Sequence, residues 1–93
     1  MTDIIVDGSP INYDADNLLP TYMRDEMKLY IEHRIPPGDF LAAVLSNDLI
    51  RSAIMADDIN RRCLFEYIVW LRNYAPPKCY GSYEKVKEWL SGA

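Results

Sequence analysis

Asp39-Phe40-Leu41-Ala42-Ala43-Val44-Leu45-Ser46-Asn47-Asp48-Leu49-Ile50-Arg51-Ser52-Ala53-Ile54 is the stretch on which the fold turns. Phe40 to Leu45 is apolar nearly all round, a pattern that a helix carries where it is buried on most sides. It is read as the core helix. Ser46-Asn47-Asp48 then sets three residues that prefer caps and turns between two apolar segments, which marks a kink or a new helix start. Leu49, Ile50, Ala53 and Ile54 resume the helical period. The polar triplet needs hydrogen-bond partners. Capping is the first reading and contact with a ligand the second, and Arg51, one turn on, either pairs with Asn47 or Asp48 or projects outward.

Upstream, Pro20 suits the first turn of a helix, and Tyr22, Met23, Met27, Tyr30 and Ile31 recur at helical spacing. That helix should fail near Arg34, because Pro36-Pro37-Gly38 cannot continue it. Before it, β-branched residues flank Asp7-Gly8 within residues 3–13, which allows a short hairpin, and Asp14 to Asn17 reads as a polar link. Downstream, Asp57 or Asp58 caps a helix bearing Ile59, Cys63, Leu64, Tyr67, Ile68, Trp70 and Leu71, which ends before Pro76-Pro77. Ser82 caps a last helix bearing Val86, Trp89 and Leu90, with Gly92 as its C-terminal stop. The expected fold is an all-α, compact bundle of four to five short helices. It forms a single domain over residues 1–93, with a hairpin or arm at 1–17 and a helical core at 20–91.

Ninety-three residues suit one hydrophobic core, and 49% hydrophobic with 26% charged residues is the composition of a globular protein. The apolar runs fall far short of the roughly 20 residues a membrane span needs, so no membrane contact is expected. Asp3 interrupts the apolar start and no basic residue precedes it, so the N-terminus does not read as a secretory signal and a cytoplasmic location is expected. Cys63 and Cys79 are then packing thiols. A net charge of −4 argues against duplex DNA as a partner.

Catalytic and metal chemistry find little to use. His33 is the only histidine, the two cysteines lack metal-site spacing, and no phosphate-loop motif occurs. Asp25-Glu26 and Asp57-Asp58 are neighbours that do not face each other on a helix. Neither a metal, a cofactor nor an enzymatic activity is expected. Binding chemistry has more to offer. Tyr80-Gly81-Ser82, with Lys78 and Lys85 nearby, resembles an anion site at a helix start. Arg61, Arg62 and Arg72 lie near Tyr67, Trp70 and Tyr74, a combination that stacks a base while holding its phosphate. Tyr and Arg are equally enriched at protein interfaces, so a partner protein or a homo-oligomer explains the same residues.

Residues Tyr30 to Leu49, with Ile35-Pro36-Pro37-Gly38-Asp39-Phe40-Leu41 at their centre, then Ala56-Asp57, Asn73-Tyr74-Ala75-Pro76-Pro77-Lys78-Cys79-Tyr80-Gly81-Ser82 and Lys85-Val86-Lys87-Glu88-Trp89, resemble a family of small proteins of tailed bacteriophages and prophages. The likeness covers roughly residues 20 to 90. It implies a phage accessory protein made in the host bacterial cytoplasm, with no catalytic residues to carry over. Small phage proteins without enzymatic motifs are often counter-defence factors. The leading expectation is therefore a non-enzymatic homo-oligomer that sequesters a nucleotide-type immune signal, held by Asn47, Asp48, Arg51, Arg61, Arg62, Tyr74, Lys78, Tyr80 and Ser82. The alternative is an inhibitor that docks on a host defence protein such as a CRISPR complex through an acidic, aromatic surface that includes Asp3, Asp7, Asp14 and Asp16.

Overall fold

The computed structural model describes residues 10–92 and folds them into α1 (Arg24–His33), α2 (Asp39–Leu45), α3 (Leu49–Met55), α4 (Asp58–Arg62), α5 (Leu64–Tyr74) and α6 (Tyr83–Leu90). Short 3-10 turns at Ala15–Asn17 and Thr21–Met23 precede α1, and one at Pro77–Cys79 joins α5 to α6. No strand occurs among the described residues. Most of the expected hairpin, residues 3–9, lies outside them, and Pro10 to Asn12 run as irregular chain.

Each helix boundary has a local cause. Pro20 stands in extended backbone just before the Thr21–Met23 turn that leads into α1. α1 stops at Arg34, which adopts the left-handed conformation (φ 57°) that L-residues rarely take. Contacts with α6 hold it there: its guanidinium lies 3.7 Å from the Trp89 ring centre and donates to the Trp89 carbonyl. α2 starts at Gly38, whose N–H donates to Glu26 Oε2 at 2.8 Å. It ends in a Schellman motif, with Asn47 left-handed (φ 63°) and the Asp48 and Asn47 N–H groups returning to the Ala43 and Val44 carbonyls. Asp48 then caps α3 by accepting from Arg51 N, and Asp57 caps α4 by accepting from Asn60 N.

The long helix expected from Asp57 to the proline pair is divided at Cys63 (φ −103°, ψ 10°). Asn60, buried just before the break, accepts a 2.7 Å hydrogen bond from the Tyr67 hydroxyl. A buried amide and a buried phenol thus satisfy each other across the bend.

α2 lies in the core as its composition predicts, with Phe40, Leu41 and Leu45 buried in one cluster with Met27, Tyr30, Ile31, Tyr67 and Trp70, and Ala43 also buried. The large aromatics also tie distant segments together by their polar tips. Tyr30 donates to the Cys79 carbonyl (2.7 Å), Trp70 to the Asn12 carbonyl (3.0 Å) and Trp89 to the Tyr30 carbonyl (3.2 Å). The radius of gyration, 12.2 Å, matches the roughly 12 Å of a folded chain of this length.

Candidate functional site

α3 is built inside out. Its only buried residue is Ser52, 2% exposed, whose hydroxyl donates to the Asp48 carbonyl at 2.6 Å. The stripe that resumes the helical period after Asn47 faces water instead of the core: Leu49 is 64% exposed, Ile50 74% and Ile54 69%. The cause is the Schellman turn and the Asp48 cap, which fix how α3 leaves α2 and set the small hydroxyl residue against the body of the protein.

α5 continues this surface. Val44, Leu49, Ser52, Leu64 and Ile68 line one shallow groove with Asn47 and Asp48 at its end. Phe65 (70% exposed) and Ile68 (52%) share one side of α5, three residues apart. At on the order of 100 Å² of exposed area apiece, Leu49, Ile50, Ile54, Phe65 and Ile68 reach the upper end of the roughly 300–600 Å² that the largest apolar patch of an ordinary monomer covers. Single exposed apolar residues need no explanation, whereas the largest apolar patch of a monomer is often a functional one.

Charge around the patch is mixed, with ionised carboxylates beside arginines. Asp48 accepts from Tyr83, Asp57 from Tyr22 at 2.6 Å, and Asp58 pairs with Arg61 at 2.9 Å. The Tyr83 and Tyr22 hydroxyls hold the Asp48 and Asp57 carboxyls below the ordinary carboxylate range, with help from the capped N–H groups. Arg51, Arg62 and Arg72 are exposed and form no ion pair among the described residues.

The nine residues expected to hold a ligand fall into separate places. The Gly81 N–H donates to the Leu45 carbonyl at 2.7 Å, which brings the start of α6 against the α2–α3 turn. Asn47, Asp48 and Arg51 therefore lie near Ser82, whose hydroxyl caps α6 by accepting from Lys85 N. Arg61 is on α4, occupied by Asp58 and by the Ala56 carbonyl, with exposed Arg62 beside it. Tyr74 donates to Asp16 at 3.3 Å and packs 6.2 Å from the Trp70 ring. Tyr80 is half-buried against the core, its hydroxyl pushed above the usual phenol range by that burial, and Lys78 is exposed on the preceding turn. Lys85 Nζ donates to the Pro77 carbonyl at 3.3 Å and so ties the Lys78–Tyr80 turn to the start of α6, whereas no hydrogen bond or ion pair among the described residues joins these to Arg61, Arg62 or Tyr74.

Comparisons with family models, with curated proteins and with solved structures give no match. Among the described residues no helix is long and apolar enough to cross a membrane, and no group of three or more His, Cys, Asp or Glu is placed to hold a metal ion. Sequence reasoning missed Phe65, Ile68 and Tyr83 as surface residues. Ile68 was counted on one broad apolar face and Phe65 was not singled out, and only the break at Cys63 and the position of α3 show that part of that face is uncovered.

Proposed function

We propose that this chain is a non-enzymatic binding protein that acts by protein contact, as an inhibitor docking on a host defence protein in the phage setting that its sequence resemblance implies. The observation that carries the reading is the exposed apolar stripe of α3, continued by Phe65 and Ile68. Phe65 beside exposed arginines supports a protein contact, since aromatic and arginine side chains are enriched at protein interfaces. Sequestration of a nucleotide has less to stand on. The groove beside Asn47 and Asp48 encloses only about 40 Å³, against the roughly 300–1,000 Å³ of small-molecule sites, and the expected ligand residues are dispersed.

A plating assay separates the two readings. The chain is expressed in strains that each carry one defence system, and infection by a sensitive phage is scored. Protection of the phage by the natural chain, lost with Phe65→Asp and kept with Arg61→Ala and Ser82→Ala, is the expected result. Full protection by Phe65→Asp, or depletion of a nucleotide signal by the purified chain, overturns the proposal.

A further inference from the structure

We infer that the α3–α5 face also pairs this chain with a second copy of itself, two α3 helices crossing antiparallel about a two-fold axis. The competition this sets up with the target rests on the protein-contact reading above and regulates that same surface. α3 has seven residues, and Ser52 alone among them is buried. A helix this short draws its stability from an apolar face packed against something, and α3 turns that face outward. Helical spacing puts Ile50 and Ile54 opposite Ser52, with Leu49 and Ala53 on the shoulder toward α5 and Arg51 and Met55 on the other. Ala53, small and exposed, leaves room at the centre for an isoleucine of the other copy.

Area and charge both suit a second copy. At on the order of 100 Å² apiece, Leu49, Ile50, Ile54, Met55, Phe65 and Ile68 expose about 600 Å², so a two-fold contact buries about 1,200 Å², at the lower bound of the roughly 1,200–2,000 Å² of stable interfaces. That suffices for a dimer and keeps it weak enough for a target to displace. Homodimer interfaces are more apolar than other contacts, and here charge stands at the edges of an apolar centre. Those edges carry both signs. Asp48 and Asp57, just outside the two ends of α3, keep their charge because a neutral tyrosine hydroxyl engages each, and Arg51 and Arg72 form no ion pair among the described residues. A two-fold axis sets the patch against its own copy, so a rim of one sign would repel itself whereas a rim of both signs is self-complementary. Antiparallel α3 helices bring Asp57, beyond the C-terminal end of one, toward Arg51 in the first turn of the other.

Sedimentation equilibrium of the full chain over a range of concentrations measures the pairing. The mass should rise from 10.8 kDa toward twice that value, with a dissociation constant in the micromolar range. Ile54→Lys and Phe65→Asp should each weaken the dimer at least about tenfold, and Ile54→Leu should leave it nearly unchanged. Ala53→Cys, beside the axis, should cross-link two copies on mild oxidation, whereas Glu88→Cys, exposed on α6, should not. Circular dichroism checks that each variant is folded. Should Ile54→Lys fail to fold, Ile50→Lys, at the most exposed position of the stripe, takes its place. A chain that stays at 10.8 kDa throughout, or a dimer that neither Ile54→Lys nor Phe65→Asp weakens, overturns the inference. Loss of phage protection by Phe65→Asp in a chain that is always monomeric sinks the pairing and leaves the protein-contact reading standing. A dimer that Ile54→Lys disperses, with protection untouched by Phe65→Asp, does the reverse.

Discussion

Tyr83, at the start of α6, donates its hydroxyl to Asp48, the residue that caps α3, across 35 positions of sequence. One carboxylate thus serves two elements, with Oδ1 taking the Arg51 N–H and Oδ2 taking the phenol. Tyr22 and Asp57 repeat the arrangement at the start of α4. The two caps that orient the exposed helices are tied to distant parts of the chain by tyrosine.

Asp48→Ala should lower the unfolding midpoint more than Tyr83→Phe, because it removes the cap as well as the tie. In a double-mutant cycle the two losses should be less than additive, since both remove the same hydrogen bond. Thermal melts of the four proteins measure this.

Acid should weaken the same joints. The folded-state values of Asp48 and Asp57 are depressed, chiefly by the tyrosine hydroxyls, so their contribution is present above the unfolded carboxylate value of about 3.9 and is lost as pH falls through the lower folded values. Asp48→Asn with Asp57→Asn should flatten the fall in melting temperature below about pH 4. An unchanged acid limb contradicts the assignment.

Tyr30→Phe should cost about 1–3 kcal/mol, although it removes a single oxygen. Tyr30 is fully buried, and the Cys79 carbonyl it serves would be left without that donor. Urea unfolding should show a lower midpoint with an unchanged slope.

Asn47 sits at φ 63°, where glycine is free and β-carbon residues are strained. Asn47→Ala should destabilise by about 1 kcal/mol, and Asn47→Gly should be neutral or stabilising. The comparison tests the Schellman turn that sets the direction of α3.

Cys79 is fully buried, and burial pushes its thiol up to about 12. It should resist an aromatic disulfide reagent in the native protein and react once guanidinium unfolds the chain. Rapid native labelling of Cys79, read by peptide mass, contradicts the core described here.

Much of the fold was legible because local chemistry decides it. Pro36-Pro37-Gly38 ends α1, Ser82 caps α6, and the all-round apolar run of α2 goes to the core. The surface was harder to read, for a physical reason. Leu49, Ile50, Ala53 and Ile54 have the spacing of a core-facing stripe, and periodicity shows that a stripe exists without showing what covers it. Its direction depends on the Asn47 turn and on Tyr83, which lies 35 residues away from the cap it ties. The division at Cys63 likewise depends on a buried Asn60–Tyr67 pair that no capping signal announces. The residues expected to gather round a ligand each had a plausible local environment, but Tyr74 and Arg61 were drawn to other partners, Asp16 and Asp58.

Hydrogen–deuterium exchange on the chain alone and on the complex purified from host cells tests the central claim most directly, because it shows where the partner sits. The account predicts added protection over residues 49–55 and 64–72, on α3 and α5, with Lys78 to Lys85 unchanged. Protection confined to Lys78 to Lys85 and Tyr74, with α3 exchanging as in the free chain, would contradict it.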